Sequence, residues 1–191
     1  MTEGENRERV EVQGPEDLWT WLDGHHAQPE SVWLVTYKRS HGDRYVSRDE
    51  VLDALIAYGW IDGRRMKLDE ARTMQLIGPR KEQSWAKTYQ VRAARLEAEG
   101  RMRAPGRAAV ERSKASGRWD DMREVDALSV PEDVEAALRA RGAWTWWENA
   151  APSYRRNVLR WIAKAKRTAT RTKRIDTVTT RAAAGEKVPH Y

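Results

Sequence analysis

The segment Gly59-Trp60-Ile61-Asp62-Gly63 sets an aromatic ring, a carboxylate and two flexible glycines within five positions, with Arg64 and Arg65 following directly. Glycine lets a backbone turn sharply or approach a ligand closely, and a carboxylate there can orient an arginine. A pocket at this corner would draw on Lys38, Trp60, Asp62, Arg64, Arg80 and Trp85 and would take a small molecule. The same residues also describe an ordinary tight turn, with Trp60 as a core ring. Both readings stay open on sequence.

The second feature is cationic. Between Arg155 and Arg181 stand ten basic residues and one acid, Asp176. On a helix starting at Ser153, the residues Tyr154, Val158, Trp161, Ile162 and Ala165 share one side. Arg156, Arg160, Lys164 and Arg167 share the other. With Arg171, Lys173 and Arg174 they form a candidate anion-binding face, and nucleic acid or another polyanion is the partner such a face fits. The alternatives are a solvated face that keeps the protein soluble, or attachment to anionic lipid, which would require Trp161 to face outward.

Other chemistry is thin. His25 and His26 are adjacent, while His41 and His190 are isolated, so no ligand spacing points to a metal. The acidic pairs Asp69-Glu70, Asp120-Asp121 and Glu132-Asp133 lie where helices or turns begin, and dipole stabilisation accounts for them. No phosphate loop, Gly-x-Ser-x-Gly elbow or His-Glu-x-x-His occurs. The catalytic residues, if any, are not legible, no cofactor is expected, and the reading leans away from an enzyme.

The elements that must position these groups follow from pattern. Gly14-Pro15-Glu16-Asp17 starts a helix with Leu18, Trp19 and Leu22 as its apolar stripe. Val32 to Tyr37 alternates as a strand and is expected to form a hairpin with Tyr45-Val46 across His41-Gly42-Asp43. Ser47 and Glu50 make a capping box before Val51, Leu52, Leu55 and Ile56, with Gly59 as the helix stop. Trp60-Ile61 and Arg72 to Ile77 read as paired strands. From Ser84 the period becomes helical: one helix closes near Gly100 and a second spans Pro105 to Ser116. A third runs from Pro131 through Leu138 towards Trp144 and Trp147, and the last begin at Pro152-Ser153 and end at Gly185. The fold class is α+β: a small antiparallel sheet with helices over residues 1–82, then a helical extension over 83–191 whose basic segment is 153–185. The stretch from Arg118 to Val130 is the linker candidate.

Composition bounds the function further. Residues 1–100 hold 15 basic and 18 acidic side chains, and residues 101–191 hold 20 and 11, so the two halves suit different partners. There is no cysteine, which removes disulfides and thiolate chemistry together. Ten tryptophans and no phenylalanine place most of the indole rings in the core. No apolar run is long enough for a transmembrane segment, and the polar start, Met1 to Gln13, lacks the apolar region of a secretory signal, so a cytoplasmic location is expected.

Several blocks together resemble the YdeI/OmpD-associated (OmdA-type) family, a bacterial group of bacteriocin-protection proteins. They are Gly59-Trp60-Ile61-Asp62-Gly63, Lys67-Leu68-Asp69-Glu70, Pro79-Arg80 leading to Ser84-Trp85, Glu99-Gly100-Arg101-Met102, and Gly117-Arg118-Trp119. Ala165-Lys166-Arg167, Thr170-Arg171 and Lys173-Arg174-Ile175 complete the series. The resemblance spans roughly residues 10 to 188 and implies a stress or bacteriocin-protection role without a defined reaction. Two departures stand out. The family's Ser-Asn-Trp-Ser and following Asn become Ser84-Trp85-Ala86 and Tyr89, which removes polar groups from any site there. Its Lys-Pro-Glu-Thr-Arg becomes Arg167-Thr168-Ala169-Thr170-Arg171, and the lost proline implies a smoother junction between the last helices.

Overall fold

The computed structural model describes residues 7–189, which divide into two compact units, one up to Asp120 and one from Asp121. The division falls inside the 118–130 stretch. In the first unit, β1 (Arg9–Glu11), α1 (Pro15–His25) and β2 (Val32–Tyr37) form a β-α-β crossover, and β1 therefore pairs with β2 in parallel. After a 3-10 turn (Arg39–Arg44) come α2 (Arg48–Ala57), β3 (Trp60–Lys67) and β4 (Arg72–Pro79). The sheet order is β1-β2-β4-β3, with β4 antiparallel to both neighbours. The α+β class holds, and the sheet is mixed rather than wholly antiparallel.

The expected hairpin between β2 and Tyr45-Val46 does not form. Residues Arg39–Arg44 coil instead of turning, with Gly42 at φ 52, and leave only a single Tyr37–Tyr45 bridge. Val46 is fully buried in the core, and β2 takes β4 as its partner, from Val32 opposite Ile77 to Tyr37 opposite Arg72. All six β2 residues are buried because both faces are covered, so alternation along the strand carried no information about an exposed face.

The α2 cap forms as read: the Ser47 side chain accepts from the Glu50 amide and the Glu50 carboxylate accepts from the Ser47 amide. Val51 to Ala57 are all buried, because α2 is enclosed on several sides. Val51 and Leu55 join the core with Leu18, Leu22, Leu34 and Trp60, while Ile56 joins a second cluster with Trp85, Ala93, Leu96 and Met102. That second cluster brings in α3 (Lys87–Ala98) and α4 (Ala104–Ala115), so residues 83–120 pack within the first unit.

Asp53 on α2 is 7% exposed and accepts from Arg92 and Arg95, each at 2.5 Å, with Arg101 3.6 Å away. Burial pushes its carboxyl up, but the hydrogen bonds from Arg95 and Arg92 outweigh this and hold it below the usual range. A depressed folded-state value stabilises the fold above the unfolded value, about 3.9, and that stabilisation fades as pH falls through the folded value. Asp53→Asn is expected to cost about 2 kcal/mol at pH 7, measured by urea denaturation, with the gap to wild type narrowing below about pH 4.

The second unit is helical: α5 (Arg123–Asp126), α6 (Glu132–Ala140), α7 (Trp144–Asn149), α8 (Pro152–Ala163) and α9 (Thr168–Ala183). Val134, Leu138, Trp147, Val158, Leu159, Ile162 and Val178 make its core. The expected continuous helix from Pro131 to Trp147 is broken after α6, where Gly142 takes φ 66 and turns the chain into α7. The junction between α8 and α9 is likewise not smooth. The helices stop at Ala163 and restart at Thr168 without a proline between them. Among the described residues, no helix is long and apolar enough to cross a membrane.

Candidate functional site

The six residues proposed around the Gly59 corner separate into two sets. Trp60 is 1% exposed, donates its indole N–H to the His26 carbonyl at 2.9 Å and meets Trp21 edge-on, as a core ring does. Lys38 donates to the carbonyls of Asp69 and Glu70 at 3.1 and 2.8 Å, tying down the β3–β4 turn. Arg64 is exposed, with its guanidinium 5.2 Å from the Trp33 ring centre. None of these three shares a cluster with the others.

Asp62, Arg80 and Trp85 do come together, joined by Tyr89 and Gln75. β3 carries Asp62, whose Oδ1 accepts from the Tyr89 hydroxyl at 2.5 Å and whose Oδ2 accepts from Gln75 Nε2 at 3.1 Å. Arg80, just past β4, is 4% exposed and stacks 4.1 Å over Trp85 and 5.4 Å from the Tyr89 ring centre. It donates to the carbonyls of Gln83 and Ser84, while its Nε lacks an acceptor among the described residues. Trp85 is fully buried and donates to Ser113 Oγ at 2.6 Å.

Burial draws the Arg80 guanidinium down to about 10, with the Asp62 charge opposing it. Burial together with the Asp62 carboxylate pushes Tyr89 up to about 12. At neutral pH Arg80 is therefore charged and Tyr89 protonated, so this pair donates hydrogen bonds and holds charge without exchanging protons.

The histidines serve the fold: the Nδ1–H groups of His25 and His26 donate to the carbonyls of Trp21 and Leu22. His190 lies outside the described residues. Among those described, no group of three or more His, Asp or Glu side chains is placed to hold a metal ion.

The basic tail divides as well. Arg156 and Arg160 both turn to Asp126 of α5, at 3.8 and 3.1 Å. Arg171 grips both oxygens of Asp133, at 2.7 and 2.8 Å, and its hydrogen bonds hold that carboxyl below the usual range. Arg174 donates to the Trp161 carbonyl and lies 5.1 Å from that ring's centre. The remaining cations, Lys164, Arg167 and Lys173, are exposed, as is their neighbour Lys166. Among the described residues, no carboxylate pairs with any of these four. Lys164, Lys166 and Arg167 lie in the turn that joins α8 to α9, and Lys173 follows in the second turn of α9.

The chain is thus an α+β domain with a buried arginine cluster beside β3, followed by a helical domain with exposed cations at its final turn. Residues 10–109 match a family described as a domain of unknown function (DUF8412), and since they make up more than half of the chain, it belongs to that family. Residues 127–185 match the family described as bacteriocin-protection, YdeI or OmpD-associated, which supports the resemblance through its tail blocks, while the blocks from Gly59 to Trp119 lie outside that match. No curated protein and no solved structure matches the chain.

Proposed function

We propose that the protein is a non-enzymatic binding module of the bacteriocin-protection or stress-protection type, working in the cytoplasm and engaging a polyanion, nucleic acid foremost, through the α8–α9 turn. The observation that carries this reading is the group Lys164, Lys166, Arg167 and Lys173, exposed and without a carboxylate among the described residues, in a unit whose other tail arginines are largely engaged. Four cations on a packed helical frame are held at a surface, where phosphates can displace their counterions without unfolding anything. Such contacts position a protein on a backbone and read little sequence.

The test separates the two kinds of cation. Gln in place of Lys164, Arg167 and Lys173 is expected to weaken binding to RNA or DNA about tenfold or more at low salt, leaving the melting temperature unchanged. Gln in place of Arg156 and Arg160 is expected to lower the melting temperature instead, because the carboxylate of Asp126, 12% exposed, loses two guanidinium partners. Equal binding by the first variant and wild type would remove the reading.

A further inference from the structure

Tyr89 lines an open cleft and also lies against a buried cation. The cleft, of about 190 Å³, is lined by Arg48, Asp49, Leu52, Thr88, Tyr89 and Arg92. Arg92 is occupied by Asp49 and Asp53, at 2.6 and 2.5 Å. Arg48 is exposed, and among the described residues no carboxylate pairs with it. Arg80 lies 5.4 Å from the centre of the Tyr89 ring and does not line the cleft; it is 4% exposed, with an Nε–H that has no acceptor among the described residues. Asp62, the carboxylate whose charge Arg80 senses, already accepts from Tyr89 and Gln75.

A guanidinium kept from water with a donor unused is costly, and an acceptor brought to it would recover part of that cost. We propose that this cleft binds a small organic anion, a carboxylate or phosphate head group on a short flat body, and that Tyr89 is its gate. The ring swings aside, gives up its hydrogen bond to Asp62, and lets the head group reach Arg80 as well as Arg48. Two guanidinium groups match the paired oxygens of a carboxylate or phosphate, and Leu52 with the Tyr89 ring offers the body an apolar wall. The cleft is smaller than the roughly 300–1,000 Å³ of drug-sized sites, so the ligand is small. This site lies in the first unit and stands apart from the polyanion reading of the second.

The test titrates the full chain with benzoate, phenyl phosphate and, as a cationic control, benzamidine. It follows the backbone amides of residues 88–92 and the indole N–H of Trp85, against which Arg80 is stacked. One or both anions should move both sets of signals and benzamidine should move neither, with the tighter anion naming the head group. Arg48→Gln, a surface change, should weaken the binding about fivefold. Tyr89→Phe, which loses the bond that holds the gate, should tighten it about threefold or more. The proposal is overturned if neither anion binds to wild type or Tyr89→Phe, if benzamidine binds as well, or if Arg48→Gln binds as wild type does. Shifts at residues 88–92 without a response at Trp85 would overturn the gate.

Discussion

Trp60→Ala is expected to lower the stability of the protein by about 3–5 kcal/mol, read from urea denaturation. The ring is 1% exposed and sits in the main core with Leu18, Leu22, Leu34 and Ile77, so its removal opens a cavity among packed side chains. The substitution also leaves the His26 carbonyl without its indole donor and removes the edge-on contact with Trp21. A loss well under 1 kcal/mol would mean that the ring does not hold the core and would return it to the candidate ligand residues.

Gly106→Ala is expected to be as damaging, about 3 kcal/mol or more, although it adds one methyl to a helix. A Cβ at Gly106 would lie 2.2 Å from the Ala57 carbonyl oxygen and 2.7 Å from that of Ile56. Both are backbone atoms at the end of α2, and the Arg103 amide of the same helix start donates to the Ala57 carbonyl at 3.1 Å. No rotamer can relieve the contact, so α4 must move away from α2 and open the cluster around Ile56, Trp85 and Met102. Gly24→Ala in α1 is the matched control, because nothing lies within 4 Å of its added methyl. It should be neutral or stabilising by up to about 1 kcal/mol through helix propensity. Similar melting temperatures for the two variants would contradict the close packing of α2 and α4.

What could be read in the sequence was local. The Ser47–Glu50 box, the stop at Gly59 and the prolines at Pro15, Pro105 and Pro152 announce helix ends through contacts within one turn, and the structure places ends there. The stripe of Tyr154, Val158 and Ile162 on α8 is likewise buried as its spacing implies. Partner choice was not local. β2 passes over Tyr45-Val46 for β4, some 35 positions further along, because the intervening residues coil and α2 must come between.

The sites follow the same division. Asp62, Arg80 and Trp85 were singled out for their chemistry and do meet, but the groups that complete the cluster, Gln75 and Tyr89, arrive from β4 and α3. The pattern of α8 showed which side of the helix is cationic. It held no sign that Asp126 and Asp133, more than 30 positions away, would bind Arg160 and Arg171. Pairing across tertiary structure therefore shrinks the candidate face from the seven named tail cations to the exposed group at the α8–α9 turn.

The most direct measurement of the central claim is the salt dependence of wild-type binding to a short RNA and a short DNA duplex. Affinity should fall linearly on logarithmic axes as salt rises, with a slope of about −2 to −4, as expected for two to four phosphate contacts from Lys164, Lys166, Arg167 and Lys173. Changing the base sequence should alter affinity little. No binding to either nucleic acid at low salt, or binding whose strength does not change with salt, would contradict the account.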